Sequence, residues 1–165
     1  MVFIPPSSKA GITKDQTVRL TNKDLSSVTN TYPAKHVFYQ WSSAITGVGD
    51  AGTDVTLTNT TYGAYYFTVY PLIQKPTGFK VYARVICTVK APSSQTIYMR
   101  FTDGSTGYGE QTSTNTAYNN LDTGWQDVSA SYTNEGASQF AGVQYRVSGG
   151  TGIHQNTLLI MAYGA

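Results

Sequence analysis

Phe79-Lys80-Val81-Tyr82-Ala83-Arg84-Val85-Ile86-Cys87-Thr88-Val89 is the stretch that decides the fold. Phe79, Val81, Ala83, Val85, Cys87 and Val89 fall on one side of an extended chain; Lys80, Tyr82, Arg84, Thr88 and Lys90 fall on the other, with Ile86 the exception. A period of two with one apolar side is the pattern of a half-buried strand in an antiparallel sheet. After the turn signal Ala91-Pro92-Ser93-Ser94 the alternation resumes, with Ile97, Met99 and Phe101 inward and Tyr98 and Arg100 outward. Keeping both apolar sets on one face requires a register such as Val89 opposite Ile97 and Cys87 opposite Met99, so the two strands are expected to form a hairpin.

Working outward, short β-branched or aromatic runs bounded by Gly, Pro, Asn or Ser predict further strands at 16–21, 36–42, 53–59, 63–73, 124–132, 139–147 and 157–164. That makes about nine strands and no helix. The run 63–73 is apolar or aromatic on both faces and is expected to be central, or to lie with one face against another subunit. In the last three runs the expected half-buried sets are Val128, Ala130 and Tyr132; Val143, Tyr145 and Val147; and Leu158, Ile160 and Ala162. Residues 103–123 are polar and rich in Gly and Asn, a length of loop that is usually functional or conceals a short hairpin.

Composition agrees. Of 165 residues, 24 are Thr, 16 Gly and 13 Tyr, while charged residues make up 12%, against roughly 25% in ordinary soluble domains. This excludes a long-helix protein, and 13% aromatic residues exclude a disordered tail. The expected fold is an all-β, antiparallel β-sandwich of jelly-roll type (36–165), preceded by an extended N-terminal arm with one short strand (1–35). The arm carries Lys9, Lys14, Arg19, Lys23 and Lys35 against Asp15 and Asp24, a local charge of +3 in a chain of net +2. That total is too small for a nucleic-acid or membrane footprint, and the arm is expected to lie on an acidic protein surface.

Catalytic chemistry finds little support. His36 and His154 have no ligand-type neighbour at zinc spacing, and the lone Cys87 is in phase with the core, so neither a metal site nor an intrachain disulfide is expected. The only glutamates, Glu110 and Glu135, lie in Gly/Ser/Thr-rich loops, poor positions for a paired-carboxylate hydrolase. Asp50-Ala51-Gly52-Thr53-Asp54 and Asp103-Gly104-Ser105 read better as turns than as calcium loops. Phosphate-loop, dinucleotide and nucleophile-elbow motifs are absent, and so are a signal peptide and a membrane-spanning run. Asn59-Thr60-Thr61 is a sequon of the kind a Thr-rich chain produces by chance. No enzyme and no cofactor are expected.

The positive signal is on the outward positions. Tyr82, Arg84, Ile86, Tyr98 and Arg100 are expected to share the outer face of the 78–102 hairpin, and Tyr and Arg are the residue types that carry binding energy at protein interfaces. Trp125 is placed at a strand start as core or rim, and Trp41 stays open.

A Thr/Tyr/Gly-rich β-sandwich with a basic arm and no catalytic cluster resembles virion structural proteins, in particular head-decoration proteins and jelly-roll capsid or tail modules of phages. The resemblance implies a non-enzymatic subunit on the outer surface of a virion, made in the cytoplasm, assembling as a homo-oligomer, a trimer first, and docked on a capsid or other virion protein. Its interface candidates are Lys9, Lys14, Arg19, Lys23, Tyr82, Arg84, Ile86, Tyr98 and Arg100. Two alternatives are a carbohydrate-binding module that meets a glycan with exposed Tyr or Trp, similar in the phrasing of Thr96–Phe101 and Gly124–Val128, and a pilus-type subunit donating residues 1–21 as a strand.

Overall fold

The computed structural model describes residues 35–42, 54–63, 65–133 and 136–164. The expected arm, its strand at 16–21 and Lys9, Lys14, Arg19 and Lys23 lie outside the described residues, as do Asp50 and Glu135.

The strands are β1 (His36–Ser42), β2 (Val55–Leu57), β3 (Tyr65–Val69), β4 (Lys80–Lys90), β5 (Ile97–Thr102), β6 (Gly107–Ser113), β7 (Asn119–Asp122), β8 (Gln126–Asp127), β9 (Ala141–Val147) and β10 (Gly152–Gly164). Among the described residues there is no helix, and hence none long and apolar enough to cross a membrane. Sheet A runs β1-β10-β4-β7, with β2 extending the β1 column along β10 and β8 extending the β7 column along β4. Sheet B runs β3-β9-β5-β6. All pairings are antiparallel. The protein is an all-β sandwich of two antiparallel sheets.

Counting β1/β2 and β7/β8 as single columns, the first column pairs with the last, the second with the seventh, the third with the sixth and the fourth with the fifth. The chain is doubled back on itself once, and the doubled ribbon is rolled over a core. Thr123 joins β7 to β8: its amide donates to the Val85 carbonyl at 3.0 Å and its Oγ1 accepts from the Val85 amide at 2.9 Å.

The core is made by the inward alternation. Val81, Ala83, Val85 and Val89 are fully buried and Cys87 nearly so, facing Ile97, Met99 and Phe101 of β5 and Ala141, Val143, Tyr145 and Val147 of β9. Each such side chain contributes roughly 1.5–3 kcal/mol by leaving water when it is the size of Val or larger.

Three expectations of pairing and phase are corrected. β4 and β5 are not a hairpin, because β4 lies in sheet A and β5 in sheet B. Their apolar faces meet across the sandwich instead of lying side by side, an arrangement that satisfies the same alternation. In β10 the core set is Thr157, Leu159, Met161 and Tyr163, and Leu158, Ile160 and Ala162 are on the other face. A bulge between Gln155 and Leu158, with Asn156 at φ 49°, reverses the phase set by the buried Gly152 and His154. β3 pairs only with β9 among the described residues and is an edge, not a central strand.

The other departures are of extent. The span 103–123 holds β6 and β7, which belong to different sheets. The run 124–132 is strand only at Gln126–Asp127, after which a turn buries Val128 and Tyr132 and leaves Ala130 exposed.

Candidate functional site

The outward positions of sheet B form one cluster. In the ladder, Arg100 of β5 faces Gln144 of β9 and Tyr98 faces Arg146. The Arg100 Nε donates to Gln144 Oε1 at 2.9 Å, and its guanidinium carbon lies 3.8 Å from the centre of the Tyr62 ring. Arg146 sits 3.4 Å from the Tyr98 ring centre and 5.0 Å from that of Tyr62. Two guanidinium groups and two phenol rings thus stack in the order Tyr98, Arg146, Tyr62, Arg100. Each cation–π contact contributes about 0.5–1 kcal/mol at an exposed site and more where water is excluded.

Glu110 of β6 closes the cluster. Its Oε2 accepts from the Tyr62 hydroxyl at 2.7 Å and lies 3.6 Å from Arg146. Burial, reinforced by the bond to Glu110, pushes the Tyr62 phenol above its ordinary range. Gln144 Nε2 donates to the Tyr62 carbonyl at 2.6 Å, which fixes the ring's own backbone. Room for Arg100 comes from Gly107, where a Cβ would lie 2.4 Å from the guanidinium carbon.

Tyr82, Arg84 and Ile86 are on the opposite side of the molecule, the outer face of sheet A, because β4 and β5 are in different sheets. The five expected interface residues of the described region therefore divide into two groups. Arg84 makes a two-pronged ion pair with Asp122, with Nε 2.9 Å from Oδ1. Lys80 Nζ lies 2.8 Å from Asp127. These partners hold the Asp122 and Asp127 carboxyls low, Asp127 at about 2, the bond from Lys80 being its largest cause. Lys35 stands 3.9 Å over the Tyr82 ring and 5.8 Å from Trp125, which is half-buried at the rim. Ile86 faces Leu158 and is half-buried.

The groups weighed for chemistry occupy structural positions. Asp103 is a turn residue: Oδ1 accepts from the amides of Ser105 (2.8 Å) and Thr106 (2.6 Å) and from Ser105 Oγ (3.0 Å). Its Oδ2 accepts from the Tyr108 hydroxyl (3.0 Å) and from Ser131. Partial burial raises its pKa, but the bonds from Ser131, Thr106 and Ser105 outweigh it and hold the carboxyl at about 2. Asp54 accepts from Tyr118 and Gln155. Among the described residues, no three His, Cys, Asp or Glu side chains gather as a metal site would require. Burial pushes the Cys87 thiol up to about 12. His36 and His154 sit towards opposite ends of β10, facing Tyr163 and Val89 through its pairings.

No family model and no curated protein matches the chain. Function is therefore argued from the geometry. The sheet B cluster offers fixed flat rings, fixed cations and one carboxylate, and no group poised to transfer a proton. Sequence reasoning named Tyr98 and Arg100 and missed Tyr62, Glu110, Gln144 and Arg146. Arg146 was recoverable, since it is an outward position of the Val143–Val147 alternation; Tyr62 lies in a turn and carried no signal.

Proposed function

We propose that this domain is a non-enzymatic virion structural protein, an outer-surface capsid decoration subunit or tail module, that docks on a lattice protein through the outer face of sheet B. The stacked Tyr98–Arg146–Tyr62–Arg100 array carries the proposal. Tyr and Arg dominate interface hot spots because they combine apolar area with directional polar groups. Here their side chains are held before any partner arrives, so little rotamer freedom is lost on binding. Two guanidiniums against one carboxylate leave the patch cationic, which suits a partner surface presenting carboxylates.

The pairing of first column with last, second with seventh, third with sixth and fourth with fifth also supports the reading. It is the order of a doubled ribbon rolled into an eight-column jelly roll, an architecture shared by capsid and lectin domains. The low charge density of the chain adds a third support, because outer faces rich in Tyr and Thr are weakly defended against association.

Light scattering on the full chain tests the proposal, paired with co-sedimentation on preformed capsids. The expected result is a homo-oligomer, a trimer first, or capsid binding that Tyr98→Ala/Arg146→Ala abolishes while the circular dichroism spectrum is unchanged. A wild-type chain that is monomeric and does not bind capsids would overturn it. Trimming residues 1–14 is expected to weaken assembly and leave the domain folded.

A further inference from the structure

A second site lies away from the stacked array, where the β5–β6 turn meets the loop between β8 and β9. There Asp103, Ser105, Ser131, Tyr132, Gln139 and Phe140 line an open cleft of 320 Å³. We propose that this cleft binds one neutral pyranose ring, seated against Phe140 and held by hydrogen bonds from its hydroxyls to Ser105 and Ser131.

The cleft has room for one sugar ring, standing at the lower end of the range of roughly 300–1,000 Å³ for ligand sites. Chemistry narrows the class. Ser105 and Ser131 each have one hydroxyl proton and donate it to the Asp103 carboxylate. Their oxygens are left as acceptors, and a hydroxyl that donates to a carboxylate accepts more strongly in turn. Acceptors call for a ligand rich in O–H donors.

Charge excludes the alternatives. Asp103 is ionised at neutral pH and no Lys or Arg lines the cleft, so an anion is disfavoured. A cation would have to displace the two backbone amides and three hydroxyls that already saturate the two carboxylate oxygens. What remains is a neutral polyol with one apolar face.

Phe140 supplies the surface for that face, and the cleft wall is held rigid. The Tyr132 hydroxyl donates to the Phe140 carbonyl at 2.7 Å, and Gly104, at φ 100°, lies so near the ring that a Cβ there would be 3.2 Å from it. Tyr70 meets Phe140 edge to face at 5.8 Å and keeps 64% of its surface exposed. It is carried there by residues 71–73, which bond to 136–139 through Gln139 N to Pro71 O (3.1 Å), Ile73 N to Ala137 O (3.1 Å) and Gly136 N to Ile73 O (2.7 Å). An exposed tyrosine at the rim extends the aromatic surface available to a sugar chain.

The test is amide chemical-shift titration of the full chain with the methyl glycosides of glucose, galactose, mannose and N-acetylglucosamine, with methyl glucuronide and calcium chloride as controls. At least one neutral glycoside is expected to shift the amides of Ser105, Ser131 and Phe140 with a Kd on the order of 1 mM. Phe140→Ala is expected to weaken it about tenfold and the surface change Tyr70→Ala about threefold, the latter guarding against misfolding of the former. Tyr98→Ala/Arg146→Ala should bind the sugar as wild type does, which separates this site from the docking face. The proposal is overturned if none of the neutral glycosides shifts these amides, if neither aromatic substitution weakens binding, or if glucuronide or calcium binds the cleft better.

Discussion

The two outer faces of the sandwich carry the same residue types and treat them differently. On sheet A the cations meet carboxylates, Arg84 with Asp122 and Lys80 with Asp127, one basic group to one acidic group. On sheet B the guanidiniums meet rings, with Glu110 as the one acid shared by Tyr62 and Arg146. An exposed ion pair cancels its own field and is worth little. A guanidinium over a ring keeps its charge and gives up only part of its hydration. The lesson is that an outward Tyr or Arg in a strand is not yet a site; what stands on the neighbouring strand decides whether its charge is cancelled or displayed.

The most forceful way to break the comparison is to loosen the core that holds both faces. His154 is buried, its ring stacked on Tyr145 at 4.3 Å, and burial lowers its pKa to about 4. Because the folded value lies below the unfolded 6.5, the stability is complete above pH 6.5 and is lost as the pH falls towards 4, by roughly 3 kcal/mol. Urea denaturation across that window should show the loss, and His154→Phe should flatten it. Below pH 4 a second decline is expected as Asp103 and Asp127, both at about 2, take up protons.

The next effect in size is on association. Tyr98→Ala/Arg146→Ala on sheet B is expected to weaken assembly by at least 30-fold, about 2 kcal/mol, whereas Arg84→Ala on sheet A changes it less than about twofold. Sedimentation equilibrium would measure both, and equal effects would erase the distinction between the faces. Gly107→Ala sharpens the same point without removing a charge. The added Cβ forces the Arg100 guanidinium off Tyr62, a flexible group that can move aside. Stability should fall by less than about 1 kcal/mol and association by about tenfold. The smallest effect belongs to Asp122→Asn, expected to cost about 0.5 kcal/mol and to lose its effect in high salt, as read by thermal unfolding at two ionic strengths.

How much of this was legible follows from what alternation encodes. It assigns a side chain to a face, so the inward sets of β4 and β5 and the outward Tyr82, Arg84, Tyr98 and Arg100 were placed correctly. It does not name the neighbouring strand, and so β4 and β5 were expected to pair when they in fact face one another across the core. Columns at the sheet edges need less apolar surface, which is why Gly107–Ser113 and Asn119–Asp122 read as loop. The reversed phase of β10 turned on the single backbone of Asn156. The array on sheet B draws on four separate segments of chain, 62, 98–100, 110 and 144–146, and only pairing brings them together. The turn at Asp103 was recognised from Asp-Gly-Ser alone, because its bonds are local.

The position of β10 also sets the order in which the protein can be made. Sheet A has β10 between β1/β2 on one side and β4 on the other, in a ladder that reaches from Ile153 opposite Lys90 to Gly164 opposite Lys80. Until residues 152–164 have left the ribosome, three strands synthesised earlier have no partner along that edge, and their ladder groups are open to any other strand nearby. The sandwich is thus a fold that closes late in synthesis, and its nascent chain, rather than its finished surface, is where aggregation would begin.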